Sequence, residues 1–189
     1  MIQRIAVFCG SNTGASPKYS YAASKLAKSM IKKNIELIYG GATVGLMKVL
    51  SDEYLSTGKN ITGIMPGFLK DKQIYQKGLT RNIQVNTMAE RKQKLEELSD
   101  AFIAMPGGFG TLDESFQILT NGQLALHQKP FGLLNIDGYF NDLLSFLDKM
   151  VEEKFLKHEY RNSIHVSPDP EELLELLESP LPQVNGKWF

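Results

Sequence analysis

One stretch constrains this chain more than any other. The apolar run Ala101-Phe102-Ile103-Ala104 passes directly into Met105-Pro106-Gly107-Gly108-Phe109-Gly110-Thr111-Leu112-Asp113-Glu114, and a helical pattern follows. This reads as strand, glycine turn, helix start. Three glycines in four positions remove the Cβ atoms that would hold a ligand away from the backbone, and they permit turns in which successive N–H groups converge on one point. A helix opening near Thr111 adds unpaired N–H groups and the positive end of its dipole, so the turn suits an anion such as phosphate. Glu114 is open to two readings. Thr111-x-x-Glu114 has the spacing of a capping box, in which each side chain satisfies the other's backbone donor. Alternatively the carboxylate acts on something attached to the bound phosphate.

The rest of the chain repeats this plan. Ile5-Ala6-Val7-Phe8-Cys9 is a continuous apolar run ending at Gly10-Ser11-Asn12, as expected of a strand buried on both faces. Ser16-Pro17 opens a helix that runs to Asn34. A strand over 35–39 ends in Gly40-Gly41-Ala42, a helix follows through Gly45-Leu46-Met47 until Gly58, and Ile61 to Met65 is the third strand. Pro66 to Thr80 has no period, carries Lys70, Lys72 and Lys77, and reads as a surface loop or a lid. Beyond it the pattern predicts a short strand over 83–85, a helix over 88–98, a strand over 101–105, a helix over 112–126, a strand over 131–135, a helix over 139–153, a strand over 164–166 and a helix opened by Asp169-Pro170. This alternation predicts an α/β chain: a single-domain, Rossmann-like, doubly wound parallel sheet with helices on both faces, over residues 1–180, followed by an irregular tail over 181–189.

Lys plus Arg (21) equals Asp plus Glu (21), so no overall field favours nucleic acid or a membrane surface, and an anion must be held by a local site. The single cysteine, Cys9, excludes an intrachain disulfide and fits a reducing compartment. The start lacks a signal-peptide layout and no apolar run suffices to span a bilayer, so a cytoplasmic protein is expected.

In a doubly wound sheet ligands bind outside the carboxyl ends of the strands, where the turns at Gly10-Ser11, Gly40-Gly41 and Gly107-Gly108-Phe109-Gly110 all fall. They should line one cleft. No dinucleotide fingerprint follows the first strand and no P-loop motif is present, which leaves a mononucleotide. Met88, Arg91, Leu95 and Leu98 share one helix stripe, so Arg91 should point inward with Lys92 one step aside. A buried arginine wants an anion, whether a ligand or Glu114 itself. His127, His158 and His165 have no ligand spacing, and neither a metal nor another cofactor is expected.

Met88-Ala89-Glu90-Arg91-Lys92, followed by Pro106-Gly107-Gly108-Phe109-Gly110-Thr111-Leu112-Asp113-Glu114, resembles the paired signatures of the Lonely Guy family. Members of that family are phosphoribohydrolases that activate cytokinins, long mislabelled as lysine decarboxylases; no lysine in this sequence has surroundings that suit the latter chemistry. The resemblance extends to Tyr39-Gly40-Gly41, Gly45-Leu46-Met47, Lys129 to Asn135 and Gly138-Tyr139. It implies hydrolysis of the N-glycosidic bond of a nucleoside 5′-monophosphate, a homodimer, and Arg91 with Glu114 as the catalytic pair. It further implies substrate contacts from Met88, Lys92, Gly108, Gly110, Thr111 and Thr120. The chain departs from the family pattern at Ala42, where relatives carry a third glycine, at Lys48, and at Asn121-Gly122 within the helix that bears Thr120. A nucleotide or cofactor carrier of the same fold is the alternative, and it would need the glycine turn but not Glu114.

Overall fold

The computed structural model describes residues 1–70 and 75–180, so the tail expected over 181–189 and part of the loop expected over 66–80 lie outside the described residues. Among these residues seven strands form one parallel sheet: β1 (Arg4–Phe8), β2 (Glu36–Tyr39), β3 (Ile61–Pro66), β4 (Arg81–Val85), β5 (Ala101–Ala104), β6 (Phe131–Leu134) and β7 (Ile164–Ser167). Their order across the sheet is β4-β3-β2-β1-β5-β6-β7, with every neighbouring pair parallel. The winding reverses between β1 and β5, so the two halves diverge from a central seam and leave a crevice at its carboxyl end.

Among the described residues eight α-helices cover the sheet: α1 (Pro17–Lys32), α2 (Gly45–Thr57), α3 (Gly67–Lys70), α4 (Met88–Glu97), α5 (Phe109–Gln123), α6 (Asn141–Glu152), α7 (His158–Asn162) and α8 (Pro170–Leu177). Alternation along the central strands divides the core into two layers. Ile5, Val7, Ala101, Ile103 and Met105 face the side that holds α1, α2 and α8. Ala6, Phe8, Phe102 and Ala104 face the side that holds Leu95 of α4, Ile118 of α5 and Leu147 of α6. Strands buried on both faces need apolar residues at consecutive positions, which is why the sequence shows unbroken runs here.

Local chemistry explains most boundaries. The Ser16 hydroxyl accepts from Lys18 N–H ahead of Pro17, Asp169 accepts from the N–H groups of Glu171 and Glu172 ahead of Pro170, and Gly58 ends α2 in the left-handed conformation. Three readings of the sequence need correction. The segment after β3 is not wholly irregular: α3 occupies Gly67–Lys70, and the chain then returns along the second glycine turn, with Tyr75 bridged to Ala42 and Gln76 N–H donating to Gly41 O at 3.0 Å. A short helix, α7, follows α6 where the sequence shows no period. Most consequentially, α5 starts at Phe109 with Gly108 as its N-cap and ends at Gln123, so Gly122 is its penultimate residue and not a mid-helix glycine.

Candidate active site

That shift removes the capping box at Thr111-x-x-Glu114. Thr111 is the third residue of α5 and is buried, no side chain caps the helix, and Glu114 is turned toward α4. The capping geometry occurs instead at the start of α4, where the Thr87 hydroxyl accepts from Glu90 N–H at 3.1 Å and the Glu90 carboxylate accepts from Asn86 N–H at 2.8 Å.

The three turns do meet. Gly10 N–H donates to Pro106 O at 3.0 Å, which staples the first turn to the third across the β1/β5 seam. Leu46 N–H donates to Gly10 O at 3.0 Å, which joins the second turn to the first. Glycine is required at two of these contacts for space. A Cβ on Gly107 would stand 2.8 Å from Gly10 N and collide with the Thr111 side chain, and one on Gly45, whose φ is +54°, would stand 2.6 Å from Gly10 O. Gly40 is confined by a buried side chain, because a Cβ there would overlap the guanidinium of Arg91. Gly41 has φ +77°. Gly108 and Gly110 differ from all of these: a Cβ on either would meet nothing within 4 Å. Packing does not demand glycine there, and the open space lies at the first turn of α5, whose leading N–H groups have no intrahelical acceptor. Phe109, between them, is 94 % exposed.

Arg91 and Glu114 sit beside this turn as a buried pair, their side chains 11 % and 12 % exposed. Arg91 Nη1 donates to Glu114 Oε1, and Arg91 Nε donates to Ile64 O at 3.0 Å, so the guanidinium is fixed at two edges. Burial pushes the Glu114 carboxyl above the usual carboxylate range, and the charge and hydrogen bond of Arg91 oppose that rise only in part. One residue on, Lys92 Nζ lies 3.0 and 3.1 Å from the two carboxylate oxygens of Asp113. A third link, Asn121 Nδ2 to Glu96 Oε2 at 2.7 Å, continues the series along α4 and α5. Asn121, a departure from the family pattern, therefore ties the two helices together.

The other expected residues fall into place unevenly. Ser11 is exposed on the first turn against Gly45, and Met88 is 41 % exposed at the start of α4, not on its buried stripe. Thr120 is exposed, nearly two turns beyond Glu114, and lines a separate groove of about 1090 Å³ with Phe116, Leu119 and Phe155. Ala42 is buried and holds Tyr75, while Lys48 is exposed and pairs with Asp52. Cys9 is buried near the pair, and its thiol is raised by burial and by Glu114, which leaves it unreactive. Among the described residues, no group of three or more His, Cys, Asp and Glu could hold a metal ion. Sequence reasoning missed Asp113 as the partner of Lys92, although it adjoins Glu114. It also assigned no role to Tyr139, whose hydroxyl donates to Gly107 O at 2.7 Å.

A family model described as "Possible lysine decarboxylase" matches residues 47–177. A probable cytokinin riboside 5′-monophosphate phosphoribohydrolase of Oryza sativa subsp. japonica is 44 % identical over 181 residues, covering 96 % of this chain and 72 % of that protein. A cytokinin riboside 5′-monophosphate phosphoribohydrolase of Arabidopsis thaliana is 42 % identical over 181 residues, covering 96 % and 85 %. Among solved structures, the molybdenum cofactor binding protein of Rippkaea orientalis matches with a TM-score of 0.71 at 24 % identity, covering 94 % of this chain and 96 % of that one. At that identity the likeness establishes the fold alone.

Proposed function

The chain belongs to the Lonely Guy family of cytokinin riboside 5′-monophosphate phosphoribohydrolases, and from that premise we propose how its own residues hydrolyse the N-glycosidic bond of a nucleoside 5′-monophosphate. The products are the free base and ribose 5-phosphate, with water adding across the bond. The observation that carries this reading is the buried Arg91–Glu114 pair next to a glycine turn with open space at Gly108 and Gly110.

The 5′-phosphate would sit on the N–H groups opening α5, with Lys92 as a counter-charge that exchanges Asp113 for the ligand. Glu114 lies five residues along α5 from Phe109, roughly 7 Å of helix rise, and its side chain leans back toward the helix start. That separation is about the reach of a ribose from its phosphate to its anomeric carbon. As the C–N bond breaks, positive charge grows on the sugar, and a carboxylate held there stabilises it or orients the attacking water. Arg91 fixes Glu114 and stands ready for the charge that develops on the leaving base. The phosphate supplies binding energy remote from the reacting bond, so it should raise turnover as well as affinity. No metal or other cofactor is part of this scheme. A buried, unpaired Cys9 supports a reducing, cytoplasmic setting.

We further propose a homodimer. Phe116 and Leu119 of α5 and Phe155 (82 % exposed) line the groove of about 1090 Å³, and Leu126 (68 % exposed) lies between Ala125 and His127, which also line it. A face of this kind suits a second copy.

The activity test is release of free base from AMP and from its isopentenyl-substituted analogue, with adenosine in parallel and EDTA in duplicate reactions. Base release from the monophosphates alone, unchanged by EDTA, is the expected result. Comparable rates on adenosine, or loss with EDTA restored by added metal, would overturn the scheme; binding of monophosphates with no release would favour a carrier.

A further inference from the structure

Gly107 and Gly108 flank one peptide group, and neither has a Cβ to resist its rotation. This peptide lies where the anion is expected, and its orientation decides whether an N–H or a carbonyl oxygen meets that anion. In a trans peptide the two point in opposite directions. Gly107 O accepts from the Tyr139 hydroxyl at 2.7 Å, so the Gly108 N–H is directed away from Tyr139, and it donates to no described residue. From this contact, and on the reading that the turn binds phosphate, we propose that Tyr139 is a positioning residue for the substrate's phosphate. Its hydroxyl draws the Gly107 carbonyl out of the site and fixes the next N–H as a donor to the phosphate. A hydrogen bond accepted by a peptide oxygen also polarises the N–H of the same group, which strengthens its bond to an anion.

The seat of Tyr139 is built for this reach. It follows two left-handed residues, Asp137 at φ +51° and Gly138 at φ +72°, in the turn between β6 and α6. Phe140 N–H donates to Asn135 Oδ1 at 2.8 Å and closes that turn. The Tyr139 ring stands edge-on to Phe140 at 5.0 Å and to Tyr19 at 5.8 Å. Lys18, next to Tyr19, pairs with Asp137, so α1 holds the turn from the other side. The ring is thus placed by contacts that do not involve its hydroxyl, and removing the hydroxyl alone leaves them intact.

Tyr139→Phe tests the proposal by calorimetric titration with inorganic phosphate, AMP and adenine, beside thermal melts and AMP kinetics. Loss of one such hydrogen bond predicts about three- to tenfold weaker phosphate and AMP binding. Adenine affinity and the melting temperature should be unchanged, and KM for AMP should rise more than kcat falls. A change in phosphate affinity of less than threefold overturns the proposal, as does equal weakening of phosphate and adenine, since the hydroxyl would then only brace the fold. The titrations need no turnover. A wild-type chain that binds phosphate through Tyr139 but leaves AMP intact would sink the hydrolase reading and keep this one.

Discussion

Glu114 concentrates the conflict between stability and chemistry. A carboxylate that is 12 % exposed is costly, and Arg91 offsets the cost only while it stays in place. Glu114→Gln keeps the shape of the side chain but cannot answer positive charge on the sugar, so turnover should fall about 100- to 1000-fold while AMP still binds. Arg91→Ala should lose activity and also about 3–5 kcal/mol of stability, because it strands a buried charge and frees Ile64 O. The double variant should recover part of that stability in a urea melt, as the stranded charge is gone. The raised Glu114 carboxyl gives a pH signature. If its anion is the working form, the acid limb of kcat/KM falls above the usual carboxylate range and disappears in Glu114→Gln. The sign for stability is opposite: the folded chain holds this proton more tightly than the unfolded one. Raising the pH from the ordinary carboxylate value through the raised one therefore costs stability, and Glu114→Gln should flatten that slope.

Glycines that look alike in the sequence separate once the turns are folded. Gly107→Ala must push against Gly10 and Thr111 and should lower the melting temperature, whereas Gly110→Ala enters open space inside a helix. Gly110→Ala should therefore hold or raise stability by up to about 1 kcal/mol while weakening AMP binding, measured by melting and titration of one sample. No sequence pattern distinguishes the two, because the partners of Gly107 come from the turn after β1 and from the buried side of α5. The long elements were legible for the opposite reason. Unbroken apolar runs, Ser16-Pro17, Asp169-Pro170 and Gly58 each record a local physical need. The helices α3 and α7 were not, since four or five residues carry no period. Thr111-x-x-Glu114 misled because Thr87-x-x-Glu90 has the same spacing, and spacing alone cannot say which carboxylate turns back toward its own helix and which crosses to another. Arg91 was legible as an inward arginine, but Met88, expected on the same stripe, opens to solvent at the start of α4.

At the level of the whole molecule, the β–α alternation was enough to give a doubly wound sheet, and the strand order then puts the β1 and β5 turns side by side. What alternation leaves open is which helix faces stay uncovered. The α5 side carries the apolar groove, so if the proposed dimer forms there, Leu119→Glu with Phe116→Glu should leave only monomer by light scattering at micromolar concentration. A wild-type chain already monomeric there would refute the pairing. The ion pairs between α4 and α5 carry one more consequence. Helix α4 follows edge strand β4 and returns the chain to the central seam, so Arg91 is delivered from the rim of the sheet and Glu114 from its middle. Neither half of the chain contains the pair, and ribosomal synthesis exposes Arg91 well before its carboxylate emerges. With the roles proposed for Arg91 and Glu114, a nascent or partly refolded chain with its first four strands in place would be chemically silent, and the ability to cut a nucleotide would arrive only with closure of the crossover.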